Sequence, residues 1–167
     1  MRKTMCLLPL ALGTFGLGMS EYVMMGILPD TAKSMGVSIP AAGNFISLYA
    51  LGVVFGSILL VIFGRTQPLK KILLTLATIF TTANLLAALA NNYHVLCGLR
   101  FIAGLPHGAF FGIGSIVADK LADKNKVTQA VATMVSGMTI ANLGGIPIGT
   151  FISHNFSWRI TFSLIGL

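Results

Sequence analysis

Charge is what this sequence has least of. Only 9% of its 167 residues are Asp, Glu, Lys or Arg, and just four of those are acids: Glu21, Asp30, Asp119 and Asp123. Soluble domains run near 25% charged, so a water-soluble globular fold is excluded. Cysteine is scarce as well. Cys6 and Cys97 are expected toward opposite membrane faces, where they cannot bridge. No metal-ligand spacing, Walker-type glycine loop or nucleophile motif occurs. No metal, no cofactor and no enzymatic activity are therefore expected. The formal charge of +7 does not indicate nucleic acid, because the bases stand singly between apolar runs, with no basic face interleaved with aromatics.

What remains is apolar: 55% hydrophobic residues and a mean hydropathy of +0.88. A bilayer requires about 20 residues per helix. The hydropathy pattern predicts helices at 5–28, 41–63, 72–90, 95–118 and 128–152, with a sixth apolar segment at 158–167. The predicted class is all-α, a polytopic transmembrane bundle. The start resembles a signal peptide, with Arg2 and Lys3 before an apolar core, but apolar character continues past Ser20 without a small-x-small cleavage site. Pro29 and Asp30 are expected to end the first helix. Arg2, Lys3, Arg65, Lys70, Lys71, Lys120, Lys124 and Lys126 fall on one side, against Lys33 and Arg159 on the other. That bias places the N-terminus and the basic loop of Arg65, Lys70 and Lys71 in the cytoplasm.

The stretch 99–118, LRFIAGLPHGAFFGIGSIVA, is the one on which the chain turns. Arg100 lies inside a span, where insertion scales put a cost of roughly 2.5–3.5 kcal/mol on arginine at the helix centre. By this topology Arg100 lies roughly 8 Å and Glu21 roughly 10 Å from the outer face, at 1.5 Å per residue. The two are expected to face a common cavity and to pair, directly or through water, with Glu21 as the site for a proton bound and released in a cycle. The other reading is a buried ion pair that only fixes packing. His107, seven residues after Arg100, shares its face. It lines a substrate path or simply bonds a neighbouring helix. Asn84 and Asn142 are further path candidates, with interhelical bonding as the alternative. Gly145, Pro147 and Gly149 thin the end of the fifth span, as a hinge or as close packing.

Four stretches carry a family resemblance: GLGMSEYVMMGILPDTA, AAGNFISLYALGVVFGS, RFIAGLPHGAFFG and ANLGGIPIGTFISHNFSWRITF. The chain resembles the N-terminal half of a major facilitator superfamily transporter. It is most similar to the bacterial drug:proton antiporter branch that includes arabinose-efflux-permease-like proteins. Arg100, Gly104 and Gly108 look like that family's helix-4 motif, and Gly137, Gly145, Pro147 and Gly149 like its helix-5 antiporter motif. The loop at 64–71 departs from the pattern. It keeps its bases but has no acid, so the charge-relay role of that loop is not carried over.

The resemblance implies proton-coupled efflux of sugars or small drug-like compounds by alternating access across a bacterial inner membrane. Protons would be the coupling ion, and the lipid bilayer and a small-molecule substrate the partners. It also implies twelve helices in two halves, with substrate between them. A missing C-terminal half or a second copy would then be needed for transport, and a fragment is the expected case. A transport-inactive membrane protein or helix-binding scaffold is the alternative. A small channel fits less well, because no polar stripe runs along several helices.

Overall fold

A computed structural model describes residues 2–123 and 125–167, with side chains described from Leu7 onward except that of Arg65. Among the sequence-based assignments, Lys124 and the side chains of Arg2, Lys3, Cys6 and Arg65 lie outside what is described. The described residues form eight helical pieces: α1 (Arg2–Met35), α2 (Ile39–Ala42), α3 (Asn44–Phe63), α4 (Leu69–Leu89), α5 (Tyr93–Leu121), α6 (Val127–Ile140), α7 (Ile146–Asn155) and α8 (Trp158–Gly166). Five spans among them, Leu7–Met35, Ile39–Phe63, Leu69–Leu89, Tyr93–Leu121 and Val127–Asn155, are long and apolar enough to cross a membrane.

Pro29 and Asp30 do not end the first helix, which runs on to Met35. Proline removes one helical hydrogen bond, but the next turn is held from outside. Ser153 Oγ donates to Asp30 Oδ2 at 2.7 Å, and His154 Nδ1 lies 3.2 Å from the same oxygen. The true stop is Gly36, with φ of 65°. There Val37 N donates to Ala32 O at 3.0 Å and Gly36 N to Lys33 O at 3.3 Å. That is the paired-bond helix ending that left-handed glycine makes cheap.

The fifth span is also not one regular helix. A π turn at Ala141–Gly145 separates α6 from α7. Pro147 explains it: its ring would clash with the carbonyl four residues back, and it has no N–H to donate. Widening the preceding turn relieves both problems. α5 opens at Tyr93, where the Asn92 side chain accepts from His94 N at 2.8 Å. Arg159 ties α8 to the end of α4 by donating to the carbonyls of Ala88 and Ala90 and to Asn91 Oδ1. This satisfies carbonyls that a helix end leaves unpaired.

α5 is the axis of the bundle, with α3 and α4 laid along it and α1 and α6 against it. The α3–α5 seam is made of glycine. A Cβ on Gly52 would strike the carbonyl oxygen of Phe101, and one on Gly56 that of Leu105. From the other helix, a Cβ on Gly104 would strike Tyr49 O and one on Gly108 would strike Val53 O. Because each obstacle is backbone, no rotamer change relieves it. In lipid, where apolar burial does not drive helices together, such close approach is what joins them. Gly104→Val is therefore expected to cost at least about 2–3 kcal/mol, read as a lowered melting temperature in detergent. Gly98→Ala, with nothing within 4 Å of its Cβ position, should leave that temperature unchanged or slightly raised.

Candidate functional site

Two apolar clusters fill the bundle. One gathers Val23, Met24, Ile27, Phe45, Leu96 and Phe162; the other gathers Leu7, Leu10, Leu17, Phe110, Ala118 and Met134. Between them lies a polar layer. α1 brings Ser20 and Glu21 to it, α3 brings Tyr49, α4 brings Asn84, and α5 brings Arg100 and His107.

Arg100 is 1% exposed. Its guanidinium donates through Nε to Phe45 O (3.3 Å), through one Nη to Ser20 Oγ (3.1 Å) and through the other to Ser20 O (3.0 Å). The Tyr49 ring lies beneath it, 4.2 Å from the guanidinium carbon to the ring centroid. Of the pairing expected with Glu21, directly or through water, the direct form is not made, since every hydrogen bond from the guanidinium goes to an uncharged oxygen. Residue 20, not residue 21, points at Arg100: successive helix positions face 100° apart, so one of two neighbours can aim at a given point.

Glu21 instead meets His107, with Oε2 3.7 Å from Nε2. Tyr49 closes the layer, its hydroxyl lying 3.0 Å from His107 Nδ1. The same hydroxyl also donates to Leu17 O at 3.4 Å, and Nδ1 accepts from the hydroxyl or donates to it according to the imidazole tautomer. Ser20 Oγ donates to Asn84 Oδ1 at 3.0 Å, and Asn84 Nδ2 donates to Phe80 O at 2.9 Å. The contacts thus run from Asn84 through Ser20, Arg100, Tyr49 and His107 to Glu21. Among the described residues, no buried side-chain nitrogen or oxygen lacks a partner. The Glu21 side chain is 32% exposed and that of His107 only 7%, so the carboxylate is the point at which this layer meets the outside.

Tyr49→Phe is expected to keep the ring under Arg100 but remove the bond to His107. The loss should be about 0.5–1.5 kcal/mol, measured by thermal unfolding, whereas Tyr49→Leu should cost more by also removing the cation–π contact.

Asn84 is wholly buried and holds Ser20 in place. Asn142 is exposed on the π turn, apart from the layer. Gly104 and Gly108 lie in the α3–α5 seam. Gly137, Gly145 and Gly149 let α6, the π turn and α7 press on α1: a Cβ at each would meet Ala11 O, Met19 or Val23. Lys70 and Lys71 are exposed at the start of α4, far from the layer in sequence and fold.

Ser20 and Tyr49 were not foreseen. Tyr49 had a signal, since it stands three residues before Gly52 on the face that the glycines press against α5. Ser20 had none beyond its adjacency to Glu21.

Five helices long and apolar enough to cross a membrane, a buried arginine layer and a glycine seam make this a polytopic membrane-helix bundle. The family model described as Major Facilitator Superfamily matches residues 10–167, and the chain belongs to that family. It is 53% identical to the AraJ protein of Escherichia coli (strain K12) over 161 residues, 96% of this chain and 41% of the relative. It is 45% identical to the inner membrane transport protein YdhP of the same organism, over 93% of this chain and 40% of the relative. A chloramphenicol resistance protein of Streptomyces lividans is 31% identical over 95% of this chain and 40% of its own length. The chain thus spans about two-fifths of the curated relatives it matches, and it is a multi-pass membrane protein.

Proposed function

We propose that this chain supplies one wall of a proton-coupled efflux carrier, with Glu21 as the site where the coupling proton is held. The observation that carries this reading is the part-exposed Glu21 carboxylate beside buried His107, in the same layer as buried Arg100. An ionisable group inside a span is costly unless it serves a task. Here the arginine is fully served by oxygens and a ring face, which leaves the carboxylate free to gain and lose a proton. Protonated, Glu21 leaves the layer with one net positive charge; ionised, it leaves the layer neutral. A substrate or a closed conformation that prefers one of these states is thereby linked to the proton.

The chain acts as a carrier rather than an enzyme, without a bound cofactor. Its substrates are small amphipathic compounds, sugars or drug-like molecules, in keeping with the name of the chloramphenicol resistance relative. The charge bias of the loops sets the N-terminus in the cytoplasm of a bacterial inner membrane. A complete cavity takes a second wall from a C-terminal half or from another copy.

The test is uptake into inside-out vesicles from cells expressing the full reading frame that carries this chain, with pentoses and cationic drugs as probes. An acid-inside pH gradient should drive accumulation, and collapsing the gradient should abolish it. Accumulation indifferent to the gradient would overturn proton coupling.

A further inference from the structure

At the end of the bundle where residues 64–71 join α3 to α4, the two helices do not close on each other. α5 lies beneath them, and a groove of about 350 Å³ opens between. Leu105 and Ala109 form its floor, Leu60 and Phe63 one wall, and Leu76 and Ile79 the other. The trough is apolar along its length, and from Lys71 to Ile79 it follows α4 for about 12 Å at helical rise. Its mouth is basic. Lys71 lines it, and Lys70 stands beside Lys71 in the adjoining crevice.

Among the described residues, no acid pairs with either lysine, and the connection itself contains none. α4 also starts at Pro68 without a side-chain cap, so its first N–H groups have no helical partner. Both walls belong to membrane-crossing helices, so the trough lies at hydrocarbon depth and the bases where headgroups lie. An apolar trough ending in uncompensated positive charge at that boundary matches one molecule: an amphiphile with an acyl chain and an anionic head.

We propose that this groove is a binding site for an anionic phospholipid, with an acyl chain in the trough and the phosphate at Lys70 and Lys71. The site is separate from the Arg100 layer and does not depend on its role.

The test is native mass spectrometry of the detergent-purified chain incubated with dioleoyl phosphatidylglycerol or dioleoyl phosphatidylcholine, whose acyl chains are the same. Phosphatidylglycerol should be retained at least about five-fold over phosphatidylcholine, the factor that one lysine near an anionic headgroup supplies. The preference should vanish in the double variant Lys70→Gln, Lys71→Gln. Both positions are exposed, so that variant leaves the packing alone. Thr75→Trp, at an exposed lining position, should lower retention with both lysines in place, because the indole fills the trough. Inorganic phosphate at the same concentration should not displace the lipid. Equal retention of the two lipids, undiminished preference in the lysine variant, indifference to Thr75→Trp, or displacement by phosphate would each overturn the proposal.

Discussion

Arg100→Met is expected to fold and not transport. Two effects oppose each other in its stability. Removing a charge from a span recovers roughly 2.5–3.5 kcal/mol on insertion scales. Against that, three hydrogen bonds from a charged donor are lost, each worth about 1.5–3 kcal/mol. Ser20 keeps its bond to Asn84 and the two carbonyls keep their helical partners, so no acceptor is orphaned. The net change should be a loss of about 1–6 kcal/mol, visible as a lower melting temperature by circular dichroism.

Arg100→Lys should be the worse variant for the fold. Lysine keeps the charge but cannot present a planar fork to Ser20 Oγ, Ser20 O and Phe45 O at once. It retains the full cost of a buried cation with at most part of the compensation. For both variants, gradient-driven transport by the full carrier should fall at least about ten-fold, the effect of losing roughly 1.4 kcal/mol from a required state. A Met variant that transports at the unmodified rate would reduce Arg100 to a packing element.

Glu21→Gln is expected to have the largest effect on coupling and one of the smallest on structure. Glutamine has the shape of a protonated glutamate. At a side chain one-third exposed, with no guanidinium bond to lose, it should change stability by under about 1 kcal/mol. It cannot release a proton. Uphill accumulation in vesicles should therefore be lost and the pH dependence of transport flattened, while downhill equilibration of substrate persists. Gradient-driven accumulation that survives Glu21→Gln would move the proton site elsewhere. His107→Gln separates the roles further. It keeps a donor near the carboxylate but removes a titratable ring, so coupling should be weakened rather than lost.

The hydropathy runs, the loop bases and the motif around Arg100 each act locally, and local chemistry is legible in a linear chain. Lipid forces an apolar stretch into a helix wherever about 20 such residues occur together, so five spans and their order could be read directly. The cost of an arginine in hydrocarbon singled out Arg100, and depth reckoned along two helices placed Glu21 in the same layer. The stops were harder. Pro29 reads as a terminator, and only the Ser153 and His154 contacts from α7 show why the helix continues to Gly36. Pro147 signalled a bend in the fifth span, but the π turn that absorbs it depends on how α6 and α7 both press on α1.

Partner choice was decided by the tertiary structure alone. Depth along a helix can be counted from residue numbers. Rotation about the helix axis is set by what packs on each face. Here the glycine seam draws α3 against α5 until Tyr49 lies between Arg100 and His107, and α1 is turned so that Ser20 meets the guanidinium while Glu21 meets the imidazole. A rotation of α1 by one residue, 100° about its axis, would have brought Glu21 to the guanidinium and turned Ser20 away from it without altering any span. The sequence determined that a charged layer exists in this membrane bundle and at what depth. The packing of α1 and α3 on α5 decided which residue holds the arginine and which is left free to hold a proton.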